Sequence, residues 1–125
     1  MQFPSIRKLN EEEKCKLAPS NIHGIGVFAI KNVHRGERLY CQEEKKLWYN
    51  IPYTQFDNIL PEVRELIEQR YPNVKKGSSF LSPNSDARLI SFMNHSDTPN
   101  YDTYTDTALH EIIKWEEILE DYKIL

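Results

Sequence analysis

The chain has 125 residues, enough for one domain with a single modest hydrophobic core that needs neither metals nor disulfide staples. Apolar residues make up 39% and the formal net charge is −3, which excludes a disordered composition and argues against direct nucleic-acid binding, since that needs an excess of Lys and Arg. There is no run of about 18 apolar residues to span a membrane and no apolar signal-peptide core at the N-terminus, so the chain reads as intracellular, cytoplasmic or nuclear, and not secreted.

In chain order, residues 1–15 read as a loose polar N-terminal arm with a short helix over 10–14, and residues 16–125 as the folded domain. Residues 27–30 form a strand candidate bounded by Gly26 and by Lys31-Asn32; 34–37 read as a turn, and 38–42 and 47–51 as two more strands. Ile59, Leu60, Val63, Leu66 and Ile67 then fall at helical spacing, with charged residues between them, as expected of a core-facing stripe. Pro61 suits the first turn of that helix and Pro72 its end. A glycine-serine loop over 75–79, apolar segments at 80–84 and 89–93 and an alternating strand-like stretch over 101–109 follow. Many short strands around one helix predict a β-rich α+β domain. Acidic clusters at 11–13, 43–44 and 116–121 read as solvated surface, with a general bias toward basic partners.

Metal chemistry is not expected. Cys15 and Cys41 are too few for a four-cysteine zinc site and form no Cys-x-x-Cys, and His23, His34, His95 and His110 have no ligand spacing. A disulfide between the two cysteines stays open.

Three segments carry chemistry. In His23-Gly24-Ile25-Gly26-Val27-Phe28, two glycines flank one residue just before a strand, which allows positive φ and close backbone approach. Without a third glycine or a following helix it is no dinucleotide fingerprint, and by itself a plain Gly-x-Gly turn is the better reading of it. In the stretch 91–100, Asn94 and His95 both donate and accept hydrogen bonds, useful for a zwitterionic or adenine-bearing ligand; an Asx-type turn with a core histidine is the bland alternative. The third, residues 108–122, is acidic and ends on Asp121-Tyr122, which alone says little.

Together the three, in this order over residues 16–122, resemble the SET domain. Gly24-Ile25-Gly26-Val27-Phe28-Ala29 looks like its Gly-x-Gly strand entry, His34-Arg35-Gly36-Glu37 like the Gly-Glu turn, Phe92-Met93-Asn94-His95-Ser96 like its Asn-His-Ser core, and residues 116–122 like its closing Glu-Glu…Asp-Tyr. The resemblance implies a SET-domain fold of small curved β-sheets with a C-terminal pseudoknot and one inserted helix, the variable insert covering about 43–80. It implies a protein-lysine methyltransferase using S-adenosyl-L-methionine. By the same resemblance Tyr122 is the catalytic tyrosine and Tyr101 a channel tyrosine, with Tyr40 a weaker one. Asn94, His95 and the backbones of His23, Gly24, Ile25 and Gly26 would hold the cofactor. The substrate would be a lysine-bearing protein or basic peptide, histones among those it admits.

The chain departs from that pattern. Trp115 stands where the family has glycine, Ser91 where it has arginine, and Asp97 where many relatives have a zinc-binding cysteine. Relatives also continue past the Asp-Tyr ending with a segment that closes the channel; the expectation left open is that a homodimer partner or the 43–80 insert supplies that wall, that the chain is truncated, or that the site is weak. The competing reading is a non-catalytic SET-like module that binds a protein partner, which the departures and acidic surface would suit; keeping Asn94, His95 and Tyr122 favours the enzyme.

Overall fold

Short apolar runs broken by turn residues leave little room for long elements. The computed structural model describes residues 4–43, 47–72, 79–85 and 88–124, and among them eight short strands and two α-helices make an α+β arrangement without a barrel. The chain divides into two compact units, Met1–Glu13 with Glu44–Ala87 and Lys14–Glu43 with Arg88–Leu125.

In the first unit, helix α1 spans Pro4–Glu12. It lies earlier than the helix expected over 10–14 and is packed, not loose: Ile6 and Leu9, three residues apart on one face, are fully buried. Two apolar residues among polar neighbours are enough for a helix that buries only a narrow stripe. Helix α2, Pro61–Arg70, has Pro61 in its first turn and buries Val63, Leu66 and Ile67. Leu60, expected in that stripe, is exposed because it is the N-cap, with φ −54° and ψ 140°. Its N–H donates to Asn10 Oδ1 at 3.0 Å, so α1 satisfies one backbone donor at the start of α2. Strand β3, Trp48–Asn50, pairs antiparallel with β4, Ser79–Leu81; alternation turns Tyr49 and Phe80 inward, their rings stacked at 5.9 Å. Most of the loop expected over 75–79, and Glu44, lie outside the described residues.

In the second unit, β1 (Cys15–Pro19) pairs antiparallel with β2 (Ile25–Ala29), and β2 with β8 (Glu117–Glu120). Strand β8 then runs parallel to β5 (Asn94–His95), giving the order β1-β2-β8-β5. The strand expected over 27–30 thus starts two residues sooner, and the one expected over 38–42 does not form. Tyr40 sits at φ +58°, outside extended backbone, and only Arg38 makes a bridge, to Thr107. The stretch 101–109 is not one strand but two, β6 (Tyr101–Asp102) and β7 (Thr107–Ala108). Between them Asp102 Oδ1 accepts from the Tyr104 N–H at 2.9 Å, and Asp106 takes φ +57°, a left-handed position that aspartate tolerates. Val27, Ala29, Met93, Tyr101, Ile112 and Ile118 belong to one buried cluster. Cys15 and Cys41 lie inside it, their sulfurs in contact at 3.7 Å.

The acidic run 116–121 is not wholly solvated surface. Its middle is strand β8, whose alternation buries Ile118 and Glu120. No helix among the described residues is long and apolar enough to cross a membrane.

Candidate functional site

The site begins with the turn before β2. Gly24 takes φ +47°, and the Ser20 N–H donates to the Gly24 carbonyl at 2.8 Å, closing residues 20–24 into a tight loop. Ser20 Oγ accepts from the Ile22 N–H at 3.0 Å and donates to the Glu117 carboxylate, 2.8 Å from Oε1 and 2.9 Å from Oε2. Gly26 meets a different need: a Cβ there would lie 2.3 Å from Glu117 Oε2 and 3.1 Å from Asn94 Nδ2. The bare α-carbon lets two polar side chains close over the strand.

Asn94 completes the clamp. Its buried amide Nδ2 lies 2.9 Å from Glu117 Oε2, 3.1 Å from the His23 carbonyl and 3.3 Å from the Ile25 carbonyl. A charge-assisted bond from Asn94 to Glu117 is the strongest of these. Asn100 fixes β8 from the side, donating to the Glu117 carbonyl and accepting from the Leu119 N–H at 2.9 and 2.8 Å. Sequence reasoning singled out Asn94 but not Ser20, Asn100 or Glu117; the pairing of a glycine two residues into a turn with a distant carboxylate has no local signal.

His95 lies opposite Glu120 on the β5–β8 ladder. Its Nδ1 accepts the Tyr122 N–H at 3.0 Å, which places the ring proton on Nε2, 3.0 Å from Asp97 Oδ1. The ring packs on Tyr122 with centroids 5.2 Å apart. Asp97 also takes a bond from Lys123 Nζ at 3.1 Å, and Lys123 and His95 together hold its carboxyl below the usual range. His95 therefore orients Tyr122. The Tyr122 hydroxyl donates to the Met93 carbonyl at 2.6 Å, while the residue stays half exposed. Burial, then the charge of Glu120, raises its pKa, so the phenol keeps its proton at neutral pH.

These elements border one open cleft of about 440 Å³, lined by His23, Gly24, Ile25, Ser91, Phe92, Met93, Asn94 and Tyr122. Five of the residues that the sequence singled out line it: His23, Gly24, Ile25, Asn94 and Tyr122. Gly26 and His95 sit beside it, as a packing position and as the support of Tyr122. Tyr101 is not brought to it. The Tyr101 ring is fully buried and its hydroxyl donates to Asp106 Oδ1 and accepts from Gln42 Nε2. Burial and the Asp106 carboxylate push its pKa far above the ordinary value. Tyr40 is also elsewhere, with Lys14 and Arg38 over its ring at 5.4 and 4.8 Å. Trp115 holds φ +76°, so the turn keeps a backbone that glycine adopts freely even though the residue is tryptophan.

The fold and cleft define a small α+β protein with a glycine turn clamped by an asparagine and a carboxylate. No family model matches the chain, and no curated protein does. Among solved structures it is similar to a Plasmodium falciparum protein assigned provisionally as a histone methyltransferase, with a TM-score of 0.43 and 21% identity over 88% of this chain and 93% of that one.

Proposed function

We propose that the chain is a SET-type protein-lysine methyltransferase that uses S-adenosylmethionine. One observation carries the reading. The glycine turn, Asn94 and Tyr122, which lie far apart in sequence, converge on a single cleft. Its size lies in the range of small-molecule sites, and its lining mixes the polar residues His23, Ser91 and Asn94 with Ile25, Phe92 and Met93, as an adenine-bearing zwitterion would need. The parallel pairing of β5 with β8 brings the Asn-His and Asp-Tyr motifs side by side, as a threaded C-terminal pseudoknot would require.

When bound, the cofactor would supply an electrophilic methyl on a positively charged sulfur. The protein's own part is alignment and desolvation. Asn94 and Glu117 hold the turn's main chain in place for the cofactor. Tyr122, fixed by Met93 and His95, keeps an oxygen lone pair to orient an amine at the cleft. Lysine titrates near ~10.4 in water, and apolar walls lower that value, favouring the neutral nucleophile.

Calorimetric titration with S-adenosylmethionine tests this, comparing wild type with Asn94→Ala. Saturable binding that the variant loses is expected, followed by methyl transfer to lysine peptides that falls at least tenfold in Tyr122→Phe. Absence of binding at millimolar cofactor on folded protein would overturn the reading and leave the non-catalytic module.

A further inference from the structure

Asp97, one of the chain's departures from the SET pattern, lies two residues beyond His95, just past strand β5. Its Oδ1 is 3.0 Å from His95 Nε2 and 3.1 Å from Lys123 Nζ. Lys123 belongs to the closing 3-10 turn, Tyr122–Ile124. Asp97 thus holds both the ring that packs on Tyr122 and the residue that follows Tyr122. Lys123 first, then His95, keep its carboxyl below the usual range, so it is a charged acceptor at neutral pH. The side chains of Asp97 and Lys123 are 75% and 73% exposed, and such a pair adds little stability by itself. What Asp97 decides is which nitrogen of His95 carries the proton, since a hydrogen bond to one ring nitrogen sets the state of the other. With the proton on Nε2, Asp97 accepts it, and the Nδ1 lone pair accepts the Tyr122 N–H at 3.0 Å. With the proton on Nδ1, two donors would face each other there, and a bare Nε2 would face a carboxylate. The other acceptor near Nδ1, Asp121 Oδ1, is 3.7 Å away and already takes the Lys123 N–H at 2.9 Å. The second tautomer therefore loses both bonds, and Tyr122 would keep only its hydroxyl anchor on Met93.

We infer that Asp97 is a positioning residue: it fixes His95 in the Nε2–H tautomer and, through that ring, holds the main chain of Tyr122 at the cleft. Its link to turnover rests on the methyltransferase reading, which it extends to a residue outside the cleft lining. A carboxylate that orients a histidine, which in turn orients the working group, is an arrangement that acts without touching the reacting atoms.

The test is nitrogen-15 magnetic resonance of the histidine rings in the full chain, the His95 signals being assigned by their loss in His95→Gln. In mildly alkaline buffer, where histidine rings are neutral, wild type should show His95 as the Nε2–H tautomer alone. Asp97→Ala should give a mixture of tautomers and about tenfold faster solvent exchange of the Tyr122 amide, as the loss of one hydrogen bond implies. Asp97→Asn, whose Oδ1 still accepts, should keep both as in wild type. In turnover, Asp97→Ala should lower kcat about tenfold and leave KM for S-adenosylmethionine within about twofold, and Asp97→Asn should restore kcat. A wild type in the Nδ1–H tautomer would overturn the inference, and that arm needs no variant to fold. So would an Asp97→Ala variant whose tautomer and amide exchange match wild type, an Asp97→Asn variant that behaves like alanine, or a loss that falls on KM instead of kcat. The resonance arms need no cofactor. A chain with the expected tautomers that binds no S-adenosylmethionine would overturn the methyltransferase reading and leave the Asp97–His95–Tyr122 relay standing.

Discussion

The two faces of strand β8 treat the same side chain in opposite ways. On one, Glu117 accepts from Ser20 and Asn94 and ties the glycine turn to the sheet. On the other, Glu120 is more deeply buried, and its Oε2 meets no hydrogen-bond donor among the described residues. A carboxylate that is bonded on both oxygens is architecture; one that is buried and incomplete costs stability. The contrast separates a carboxylate that stabilises the fold from one that is buried at a cost.

Removing the satisfied carboxylate should have the largest effect. Glu117→Ala deletes two charge-assisted bonds and frees residues 20–24, so a loss of about 3 kcal/mol is expected in urea unfolding, with cofactor binding lost alongside it. A loss below about 1 kcal/mol would mean that the clamp is ornamental. Next in size, Gly26→Ala places a methyl against Glu117 Oε2 and should cost about 2 kcal/mol. The same substitution in a Glu117→Ala background should cost much less, and a double-mutant cycle that proved additive would refute the close approach.

On the other face the sign reverses. Glu120→Leu replaces an incompletely paired buried carboxyl by an apolar group and should raise stability by about 1 kcal/mol. Destabilisation there would dissolve the comparison. The smallest effect is in pH. Because the folded pKa of Glu120 is raised, by burial first, the folded state holds the proton more tightly than the unfolded chain does. The cost of its buried charge is present in full above the folded pKa and is relieved as pH falls through that value toward the ordinary carboxylate range. Wild type should therefore trail Glu120→Gln at neutral pH, with the gap narrowing on acidification, as urea melts of the pair at several pH values would measure.

Much of this was legible beforehand. The stripe of α2, its proline boundaries and the strand after Gly26 follow from spacing alone, because each buries one face against a local period. Helix α1 was not legible, since Ile6 and Leu9 give a stripe two residues wide within a polar segment. Nor was the missing strand at Tyr40 or the break at Asp106, where left-handed backbone is set by distant partners; the Cys41 N–H and Tyr101 hydroxyl both bind Asp106 Oδ1.

The same boundary runs through the site. Residue type and order single out the Gly-x-Gly turn, Asn94 and Tyr122, because their chemistry is local: positive φ, a two-way amide, a phenol. They also make Tyr101 and Tyr122 look alike, and Glu117 and Glu120 two letters of one acidic run. Only the tertiary structure distinguishes them, because burial and hydrogen-bond partners come from strand pairing between segments distant in sequence. That pairing puts Tyr101 in the core and Tyr122 at the cleft, and it completes Glu117 while leaving Glu120 open.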